Sequence, residues 1–469
     1  MIIRSRTRTA PMKQRKIKTP QKINDNSLEI EDNSPYNKED LSEIKNLRDK
    51  IVNKTLGTLA NEDVLVFPEF VKDAKDLTKD QMILQRVNDL CRSGNVMGFI
   101  GLGDERLIIK SRFSKEGKDF FFQYLLERIL DIPNIVDLNT DADQSNLLFN
   151  FLLFVFPWYL KESIRKGLFK KYVRNRYNDG NVKGTIDIAR HIKLNTPFTG
   201  RIAYSQREFS YDNYLMELVR HTIEYIKGKP YGNTILFKVK DEAKLVVEAT
   251  PRYKRQDRQK IIEANKKNVL RHAYFREYIA LQRLCLLILQ HQKHQIGSGP
   301  RQIYGILFDG AWLWEEYVNS LIQDKFYHPR NKGGTGAQRL FTNNVGLIYP
   351  DFISVNSETR IIADAKYKPI DNIGNKDYLQ VLAYMFRFDA KTGYYLYPES
   401  EGTTKDPELR MNRGSTFERN VTARDDIRVI KHGLKIPTNA ENYESFVTQM
   451  AESERKFQEG IVGVSSSVG

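Results

Sequence analysis

The sequence predicts an α+β chain of two domains preceded by a basic tail. Its 469 residues exceed what one ordinary hydrophobic core accommodates. Hydrophobic residues make up 40% of the chain, with 24 tyrosines and 25 phenylalanines, so globular cores are expected. The charged run DRQKIIEANKKN at residues 257–268 marks the boundary between a first region of mixed helical periods and short strands and a second region that opens with a long helix.

Residues 1–45 are predicted to form a disordered basic tail. Arginines and lysines recur from Arg4 to Lys22 with almost no apolar residues, and the chain then becomes acidic from Glu29 to Asp32. Such a segment cannot bury enough apolar surface to fold alone. A solvated tail is favoured over one that follows DNA.

Residues 46–265 are predicted to form an α+β N-terminal domain. Apolar residues at helical spacing predict core helices over 120–130 (FFFQYLLERIL) and 214–229 (YLMELVRHTIEYIKGK). Short strands are expected in NTILFKVKDEAK at 233–244 and LVVEATPRY at 245–253. Residues 266–469 form the second domain, which the helix YFREYIALQRLCLLILQH at 274–291 opens.

Charge and composition restrict the class of partner and the compartment. The net charge of +15 and the pI near 9.4 favour nucleic acid as partner over a membrane surface or an acidic protein. Cys91 and Cys285 are too few for a disulfide framework, which agrees with a reducing cytoplasm. The apolar run from Leu147 to Leu160 is shorter than the ~20 residues that a membrane span requires.

The chain lacks a phosphate-binding loop of the G-x-x-x-x-G-K-[ST] type. The glycine-bearing turns at 101–106 and 333–339 do not carry the lysine and serine of that loop. Any work driven by nucleotide hydrolysis is therefore assigned to a partner.

The segment YPDFISVNSETRIIADAKY at 349–367 predicts an antiparallel hairpin. Strands are expected over 346–355 and 360–367, around a polar turn at 356–359. Pairing that is symmetric about the turn places Asp351 opposite Asp364, with Cβ atoms about 5 Å apart, so the two charges repel unless a cation lies between them. Lys366 shares a face with Asp364 because side chains alternate along a strand.

Two carboxylates and an ammonium group at one place fit a Mg²⁺ site that acts on phosphate. Mg²⁺ takes one or two carboxylates and keeps several waters, one of which serves as a nucleophile. The lysine then orients that water or balances developing charge. The alternative is a surface hairpin with ordinary solvated ion pairs, and this stretch alone leaves the two interpretations about equal.

The segment FDGAWLWEEYVNSLI predicts a helix from Ala311 to Ile322. Glu315 lies beside the apolar stripe of this helix, whereas Glu316 lies on a more polar side. An inward carboxylate is costly unless it is paired or bound to metal, so Glu315 is the better candidate for a third acid. A glutamate on the helix surface is the alternative.

The segment KDYLQVLAYMFRF at 376–388 predicts another amphipathic helix. Gln380 and Tyr384 stand four residues apart and therefore on one face, from which they could hold a phosphate or the lysine. The apolar residues predicted to pack inward are Leu379, Leu382, Met385 and Phe386.

The succession LWEEYV, YPD, ADAK and QVLAY resembles the PD-(D/E)xK nuclease superfamily over about residues 270–400. The resemblance implies an α/β fold, in which helices flank a mixed sheet, and Mg²⁺-dependent phosphodiester hydrolysis. By motif position it implies that Asp351 and Asp364 bind metal, that Lys366 activates water and that Glu315 is an auxiliary acid and metal ligand. Gln380 and Tyr384 take supporting roles.

A second resemblance extends further towards the N-terminus. The segments FPWYLKESIRKGLFKKYVRNRYNDGNVKGTIDIARHI at 156–192 and FSYDNYLMELVRHTIEYI at 209–226 are similar to the McrC family, the nuclease subunit of McrBC restriction systems. The family implies double-stranded DNA as substrate and an McrB-like AAA+ GTPase hexamer as partner. The partner binds GTP, and the N-terminal domain is the expected docking and activating region.

The leading hypothesis is a cytoplasmic Mg²⁺-dependent DNA endonuclease subunit that cuts foreign DNA, methylated or unmethylated, with its GTPase partner. A second hypothesis is a subunit that chiefly assembles with and activates the GTPase. A third is a self-sufficient restriction endonuclease for unmethylated sites. Relative to a compact member of the family, the chain carries additional sequence at the N-terminus and after about residue 400. This additional sequence leaves the choice of DNA target open.

Overall fold

The structure is a computed structural model. It describes residues 16–59, 63–67, 81–115, 118–130, 144–229, 231–270, 274–290, 303–329, 338–400, 407–414 and 421–461. The chain divides into two compact units: unit 1 is Met1–Asp137 with Gly297–Gly469, and unit 2 is Leu138–Ile296. Unit 1 is therefore discontinuous in sequence.

Both units combine helices with strands, as predicted. The first segment of unit 1 contains β1 (Gln21–Asn24), β2 (Ser27–Glu31), β3 (Pro35–Asn37), α1 (Lys45–Ile51), α2 (Leu56–Leu59), β4 (Asp63–Phe67), β5 (Leu84–Val87), β6 (Leu90–Ser93), β7 (Val96–Leu102), β8 (Glu105–Lys110) and α3 (Phe120–Leu130). Unit 2 contains α4 (Gln144–Ile164), β9 (Lys171–Asp179), β10 (Thr185–Ile186), α5 (Ile188–Leu194), β11 (Ile202–Ser210), α6 (Tyr214–Lys227), α7 (Gly232–Phe237), α8 (Lys240–Ala249), α9 (Arg258–Lys267) and α10 (Glu277–Gln290).

The second segment of unit 1 contains β12 (Ile303–Asp309), α11 (Gly310–Ile322), β13 (Phe326–Tyr327), β14 (Gln338–Arg339), β15 (Leu347–Ile348), β16 (Phe352–Ser354), β17 (Ile361–Ala365), α12 (Asn375–Arg387), β18 (Thr392–Ser400), β19 (Glu408–Asn412), β20 (Ala423–Ile436) and α13 (Tyr443–Gly460). Short 3₁₀ helices lie at Glu39–Ile44, Arg255–Asp257 and Ile370–Asn372. None of the described helices is both long and apolar enough to cross a membrane.

A six-stranded sheet joins the two segments of unit 1. Its strand order is β1-β2-β8-β7-β12-β4, and β12 is antiparallel to β7 and parallel to β4. Strand β12 is buried along its whole length. A Cβ atom on Gly305 would lie 2.3 Å from the carbonyl oxygen of Phe99, so the close approach of β12 to β7 requires glycine there. Strand β12 then leads directly into α11.

A second six-stranded sheet of unit 1 has the order β13-β16-β17-β18-β20-β19. Strands β17, β18 and β20 are parallel, whereas β16 is antiparallel to β17 and β19 is antiparallel to β20. Helix α12 is the crossover that parallel strands β17 and β18 require. Ile362, Val381, Met385 and Tyr395 belong to the hydrophobic cluster that joins this helix to the sheet. The result is a mixed sheet with helices.

Unit 2 is mainly helical in the part that the structure describes. Its three strands have the order β10-β11-β9, and β9 and β11 pair as a long antiparallel hairpin from Asp179 opposite Ile202 to Lys171 opposite Ser210. Helix α10 packs against α4 and α6. Buried residues such as Leu218, Ile223 and Leu284 form its core.

The prediction of a disordered tail is wrong for residues 16–45, which form strands and a 3₁₀ helix. Strand β2 pairs in parallel with β8, and Leu28 and Ile30 lie in the hydrophobic core. The segment SLEIE at 27–31 alternates apolar and polar residues but folds only because a strand far along the chain lies beside it. Residues 1–15 of the predicted tail lie outside the described residues.

The predicted domain boundary at residues 265 and 266 is also wrong, because it falls inside unit 2. Helix α10 belongs to unit 2 and does not open a second domain. Strand β12 pairs with β4 and β7, which lie more than one hundred residues earlier, so no local composition change marks the true division. The C-terminal segment and the N-terminal strands share one unit.

Two predicted helices are confirmed and one pair of predicted strands is not. The helices at 120–130 and 214–229 form as α3 and α6, and both contribute buried residues. Residues 233–253 form α7 and α8 instead of strands. Ala243 and Val246 are buried at helical spacing, so packing outweighs the β-propensity of the Leu-Val-Val run.

The C-terminal extension is an integral part of unit 1. Glu454 on α13 is 7% exposed and accepts hydrogen bonds from Tyr124 of α3 at 2.6 Å and from Tyr317 of α11 at 2.7 Å. Arg128 donates to the same carboxylate at 2.8 Å. One buried acid thus connects three helices that are distant in sequence.

A buried ion pair connects the N-terminal strands to the end of β17. Arg112 donates to Asp32 from Nη1 at 2.9 Å and from its backbone N–H at 2.6 Å, and Asp32 is completely buried. Burial raises the pKa of Asp32, and Arg112 opposes this shift. The Arg112 guanidinium also lies 4.3 Å from the centroid of the Tyr367 ring. Tyr367 follows Lys366 directly, so this contact positions the end of the predicted catalytic strand.

Arg112→Met is expected to destabilise unit 1 by about 3–5 kcal/mol, because it leaves the Asp32 carboxylate buried without its cation. The measurement is urea unfolding followed by tryptophan fluorescence in a Trp158→Phe background. In that background the remaining tryptophans, Trp312 and Trp314, both lie in unit 1.

The matched control is Arg424→Met, which removes a more exposed pair with Asp426 at 2.7 Å. Exposed ion pairs contribute little to stability, so this variant should unfold at nearly the wild-type urea concentration. Equal losses for Arg112→Met and Arg424→Met would contradict the importance of the buried pair.

Candidate active site

The hairpin at residues 349–367 forms with the predicted register. Strands β16 and β17 are antiparallel, and Phe352 pairs with Ala363. Asn356 closes the turn, since its side-chain oxygen accepts a hydrogen bond from the N–H of Glu358 at 2.9 Å. The strands are shorter than predicted, and Asp351 lies just before β16. Continuing the pairing by one residue brings Asp351 opposite Asp364.

The two acids lie at one end of this ladder, where Asp364 is buried and Asp351 is half-buried. Asp364 is 1% exposed, and the Asp351 carboxylate accepts a hydrogen bond from the N–H of Ala365 at 2.9 Å. Burial raises the pKa of Asp351 well above its ordinary value, and the charges of Asp364 and Glu315 raise it further. Two carboxylates so placed ionise together only when positive charge is near.

Lys366 supplies one positive charge. Its Nζ lies 2.5 Å from Oδ2 of Asp364 and donates to Oε1 of Gln380 at 3.2 Å. Burial lowers the pKa of Lys366, but the charges of Asp364 and Asp351 outweigh burial and raise this pKa above its ordinary value. The lysine is therefore protonated at neutral pH and acts as a cation and a hydrogen-bond donor.

Gln380 and Tyr384 lie together on α12, beside the lysine. Gln380 Nε2 donates to the Tyr384 hydroxyl at 2.7 Å. Burial raises the pKa of Tyr384 to about 12, and the charge of Asp364 contributes in the same direction. The tyrosine thus holds its proton, and the chain from Tyr384 through Gln380 to Lys366 fixes the position of the ammonium group.

The prediction of which α12 residues pack inward is partly wrong. Leu379 is 71% exposed and Phe386 is 86% exposed, whereas Val381, Tyr384 and Met385 are buried. The helix is turned so that the row of Val381 and Met385 meets the sheet, and hydrophobicity alone did not specify that rotation. Leu382 is half-buried at the edge of the same cluster, and Met385 packs inward as predicted.

Helix α11 brings Glu315 towards the hairpin. Asp309 begins the helix by accepting a hydrogen bond from the N–H of Ala311 at 2.9 Å. The side chain of Glu315 is 12% exposed and that of Glu316 is 31% exposed, so Glu315 is the more inward of the two, as predicted.

His328, which the sequence analysis did not select, lies between Glu315 and the hairpin. Its Nδ1 donates to the carbonyl oxygen of Asp351 at 2.8 Å, and its Nε2 lies 3.7 Å from Glu315 and 3.8 Å from Glu316. Burial lowers the pKa of His328, but Glu316, the Asp351 carbonyl and Glu315 outweigh burial and raise this pKa. Only the sequence FYHPR after α11 could have pointed to it.

Asp377 and Lys368 form a second acid–base pair that the sequence analysis missed. Asp377 accepts hydrogen bonds from Lys368 at 2.7 Å and from the N–H of Gly374 at 3.0 Å, and it lies 3.8 Å from Lys366. Burial raises the pKa of Asp377, but Lys368 and the Gly374 N–H outweigh burial and lower this pKa. The alternate positions of Asp364, Lys366 and Lys368 in the sequence could have indicated that Lys368 lies on the same side as the other two charges.

The predicted set of three metal-binding acids is not assembled. Among the described residues, no three His, Cys, Asp or Glu side chains lie close enough to share one metal ion. Glu315 lies 3.7 Å from His328, whose other ring nitrogen donates to the carbonyl oxygen of Asp351. It influences the pair electrostatically.

The two remaining carboxylates fit a hard divalent cation. Oδ2 of Asp364 is buried, and the partner that the described residues give it is the Lys366 ammonium group at 2.5 Å. Two carboxylates with water in the other positions match the usual Mg²⁺ site, whereas a structural zinc site requires four protein ligands. The arrangement is suited to chemistry at an anionic substrate.

The comparison with family models identifies one family. A family model described as McrBC 5-methylcytosine restriction system component matches residues 91–398, which is more than half of the chain and includes every candidate site residue. No curated protein matches.

Two solved structures are similar in part. The first is a half-complex from a tetradecameric assembly of Thermococcus gammatolerans McrB AAA+ hexamers with bound McrC, at 14% identity over 93% of this chain and 99% of that chain, with a TM-score of 0.44. The second is the Thermococcus gammatolerans McrBC complex, at 13% identity over 64% of this chain and 89% of that chain, with a TM-score of 0.28.

Asp351→Asn is expected to raise the thermal stability of the protein in EDTA, and to do so more at about pH 8 than at about pH 5. Because the folded pKa of Asp351 is raised, wild-type stability is complete below the ordinary aspartate pKa and is lost as the pH rises towards the folded value. Asparagine has no proton to lose. Melting curves at the two pH values measure the difference.

The control is Asp371→Asn, since Asp371 is exposed in the 3₁₀ helix before α12. Its effect should be small and the same at both pH values. A stability difference between Asp351→Asn and the wild type that narrows with rising pH would show that Asp351 is not the repelled acid.

Proposed function

The chain belongs to the family of McrBC 5-methylcytosine restriction system components, and on this premise we propose that it is the McrC-type subunit that cuts DNA. The proposed reaction is Mg²⁺-dependent hydrolysis of phosphodiester bonds in foreign double-stranded DNA. The observation that carries the proposal is the pair of half-buried Asp351 and buried Asp364, with protonated Lys366 beside them. Such a cluster is costly for stability, so a catalytic role explains it better than a structural one.

The proposed centre is of the PD-(D/E)xK type, with Pro350 and Asp351 before β16 and with Asp364 and Lys366 at the end of β17. The carboxylates of Asp351 and Asp364 would hold Mg²⁺. When bound, the ion supplies positive charge to the phosphate and lowers the pKa of a water molecule.

The surrounding side chains have separate proposed roles. Lys366 orients the attacking water and stabilises the negative charge that develops on the phosphate. Gln380 and Tyr384 hold Lys366 in position through their hydrogen bonds. Glu315 acts as an auxiliary acid through His328, which donates to the Asp351 carbonyl.

A second proposed role is activation of an McrB-like AAA+ GTPase hexamer. In this proposal GTP is bound by the hexamer and not by this chain. The supporting observation is an exposed apolar patch on unit 2, in the region predicted to dock the partner. Helix α5 has no buried residue, and Ile188, Ile192 and Phe198 are 60–69% exposed. Contiguous exposed apolar side chains are typical of protein interfaces.

The patch also bears on the alternatives. A subunit that only activates the GTPase would have no use for the paired acids of unit 1. A self-sufficient nuclease for unmethylated sites would have no use for the apolar surface of α5. One subunit with both roles accounts for both features.

Asp364→Asn is expected to reduce DNA cleavage by at least about 10³-fold, because it removes half of the proposed ion-binding charge from the reaction centre. Cleavage is measured with the GTPase partner, GTP, Mg²⁺ and methylated or unmethylated plasmid. Circular dichroism and partner binding should be unchanged.

Asp371→Asn is the matched control, since it removes an exposed carboxylate from the 3₁₀ helix that precedes α12. It should cut at the wild-type rate. Persistent cleavage by a folded Asp364→Asn protein would place the active site elsewhere.

Ile188→Asp combined with Ile192→Asp is expected to abolish stimulation of the partner's GTP hydrolysis. The two side chains lie one helical turn apart, so both charges enter the same apolar patch. Hydrolysis of GTP by the partner and co-elution of the two proteins are the measurements.

The control for this experiment is Phe237→Asp combined with Leu245→Asp. These residues are also exposed and apolar, at 75% and 44%, and lie in the same unit. Stimulation that is lost equally in both double variants would argue against α5 as the docking surface.

A further inference from the structure

We propose that unit 2 binds single-stranded DNA in a basic cleft that lies where β9 begins and β11 ends. The cleft is formed by residues of unit 2 alone. It therefore uses none of the acids of the proposed nuclease centre and none of the apolar side chains of α5.

The cleft is large and built from several elements. Its volume is about 1650 Å³, and its walls come from the first residues of β9, the first turn of α6, the loop at 251–257 and α9. Small-molecule pockets usually measure ~300–1,000 Å³. The size therefore favours a stretch of polymer over a compact cofactor.

The lining of the cleft is strongly basic. Among the residues that form it, eight are lysine or arginine and three are acidic. Lys171, Lys254, Lys260 and Lys267 are exposed, and no carboxylate of the described chain pairs with them. Unpaired lysines along a groove attract a phosphate backbone.

The three acids do not cancel this charge. Asp212 is buried and paired with Arg252 at 2.7 Å. Burial raises the pKa of Glu217 to about 7, and Asp212 contributes to the shift, so Glu217 is only partly charged at neutral pH. Asp257 is half-buried, and the excess of cations remains.

Exposed aromatic rings accompany the cations. Tyr172 and Phe209 face each other across β9 and β11 with ring centroids 4.9 Å apart, and each is 57% exposed. Tyr214, at the start of α6, is 49% exposed. The Arg207 guanidinium lies 4.6 Å from the Tyr172 ring, which keeps that ring oriented.

This combination selects for an unpaired strand. Bases of single-stranded DNA stack on exposed aromatic side chains while lysines track the phosphates. In a duplex the base faces are already stacked on each other, so the rings would have no partner. The cleft also differs from a surface for sequence recognition, because stacking tolerates every base.

The first test measures binding of a fluorescent oligothymidylate of about 15 nucleotides to the full chain by fluorescence anisotropy. EDTA is present throughout, so the oligonucleotide is not cut during the measurement. The test variant is Lys254→Glu with Lys260→Glu and Lys267→Glu. It should weaken binding at least tenfold and reduce the salt slope of the affinity by about 2, because each phosphate contact on a single strand contributes ~0.7.

The control variant is Lys161→Glu with Lys183→Glu and Lys240→Glu, which makes the same charge change at exposed lysines of unit 2 that do not line the cleft. It should bind within about twofold of the wild type. Equal weakening by the two triple variants would overturn the proposal, because general charge would then explain the binding. If the variant at Lys254, Lys260 and Lys267 binds the oligonucleotide as the wild type does but no longer stimulates the GTPase, the proposal is also overturned. That result would indicate an acidic protein surface as the occupant of the cleft.

The second test addresses the rings. Tyr172→Ala with Phe209→Ala should weaken binding of the single strand about tenfold or more and reduce the quenching of 2-aminopurine placed within it. Binding of a duplex of the same length should not respond to this variant. Quenching that survives the loss of both rings, or equal weakening of single-strand and duplex binding, would overturn the assignment.

Discussion

The electrostatic conflict between Asp351 and Asp364 is the constraint around which unit 1 is organised. Two carboxylates meet at one end of a short hairpin, where burial and mutual repulsion raise the pKa of Asp351. Lys366, which directly follows β17, relieves part of the conflict. A hairpin of so few paired residues cannot hold such a group of charges alone, so neighbouring elements must fix both strands.

Those elements come from both ends of the chain. Tyr367 lies against Arg112, which is held by Asp32 from the N-terminal sheet. Strand β12 is paired with β7 and leads into α11, which carries Glu315 towards His328 and the Asp351 carbonyl. The discontinuity of unit 1 has a physical reason here: the N-terminal strands complete the support of the C-terminal hairpin.

Local patterns predicted the elements of the site better than they predicted its surroundings. The register of the hairpin and the shared face of Gln380 and Tyr384 follow from period-two and helical spacing, both of which are local. The rotation of α12 and the fold of residues 16–45 depend on partners far along the chain, so the sequence pattern misjudged both. His328 was missed because its role arises only when three separate segments meet.

The division of the chain also determines how its two proposed roles can be separated. A truncation that removes everything before residue 266 would delete β4 and β7, between which β12 is paired, and would delete Arg112 behind Tyr367. Such a protein would lose nuclease activity through loss of support, whatever the removed part does for the GTPase. Surface substitutions confined to residues 138–296 leave the strands of unit 1 intact. Only changes of that kind can assign partner activation and single-strand binding to unit 2 without disturbing the acids of unit 1.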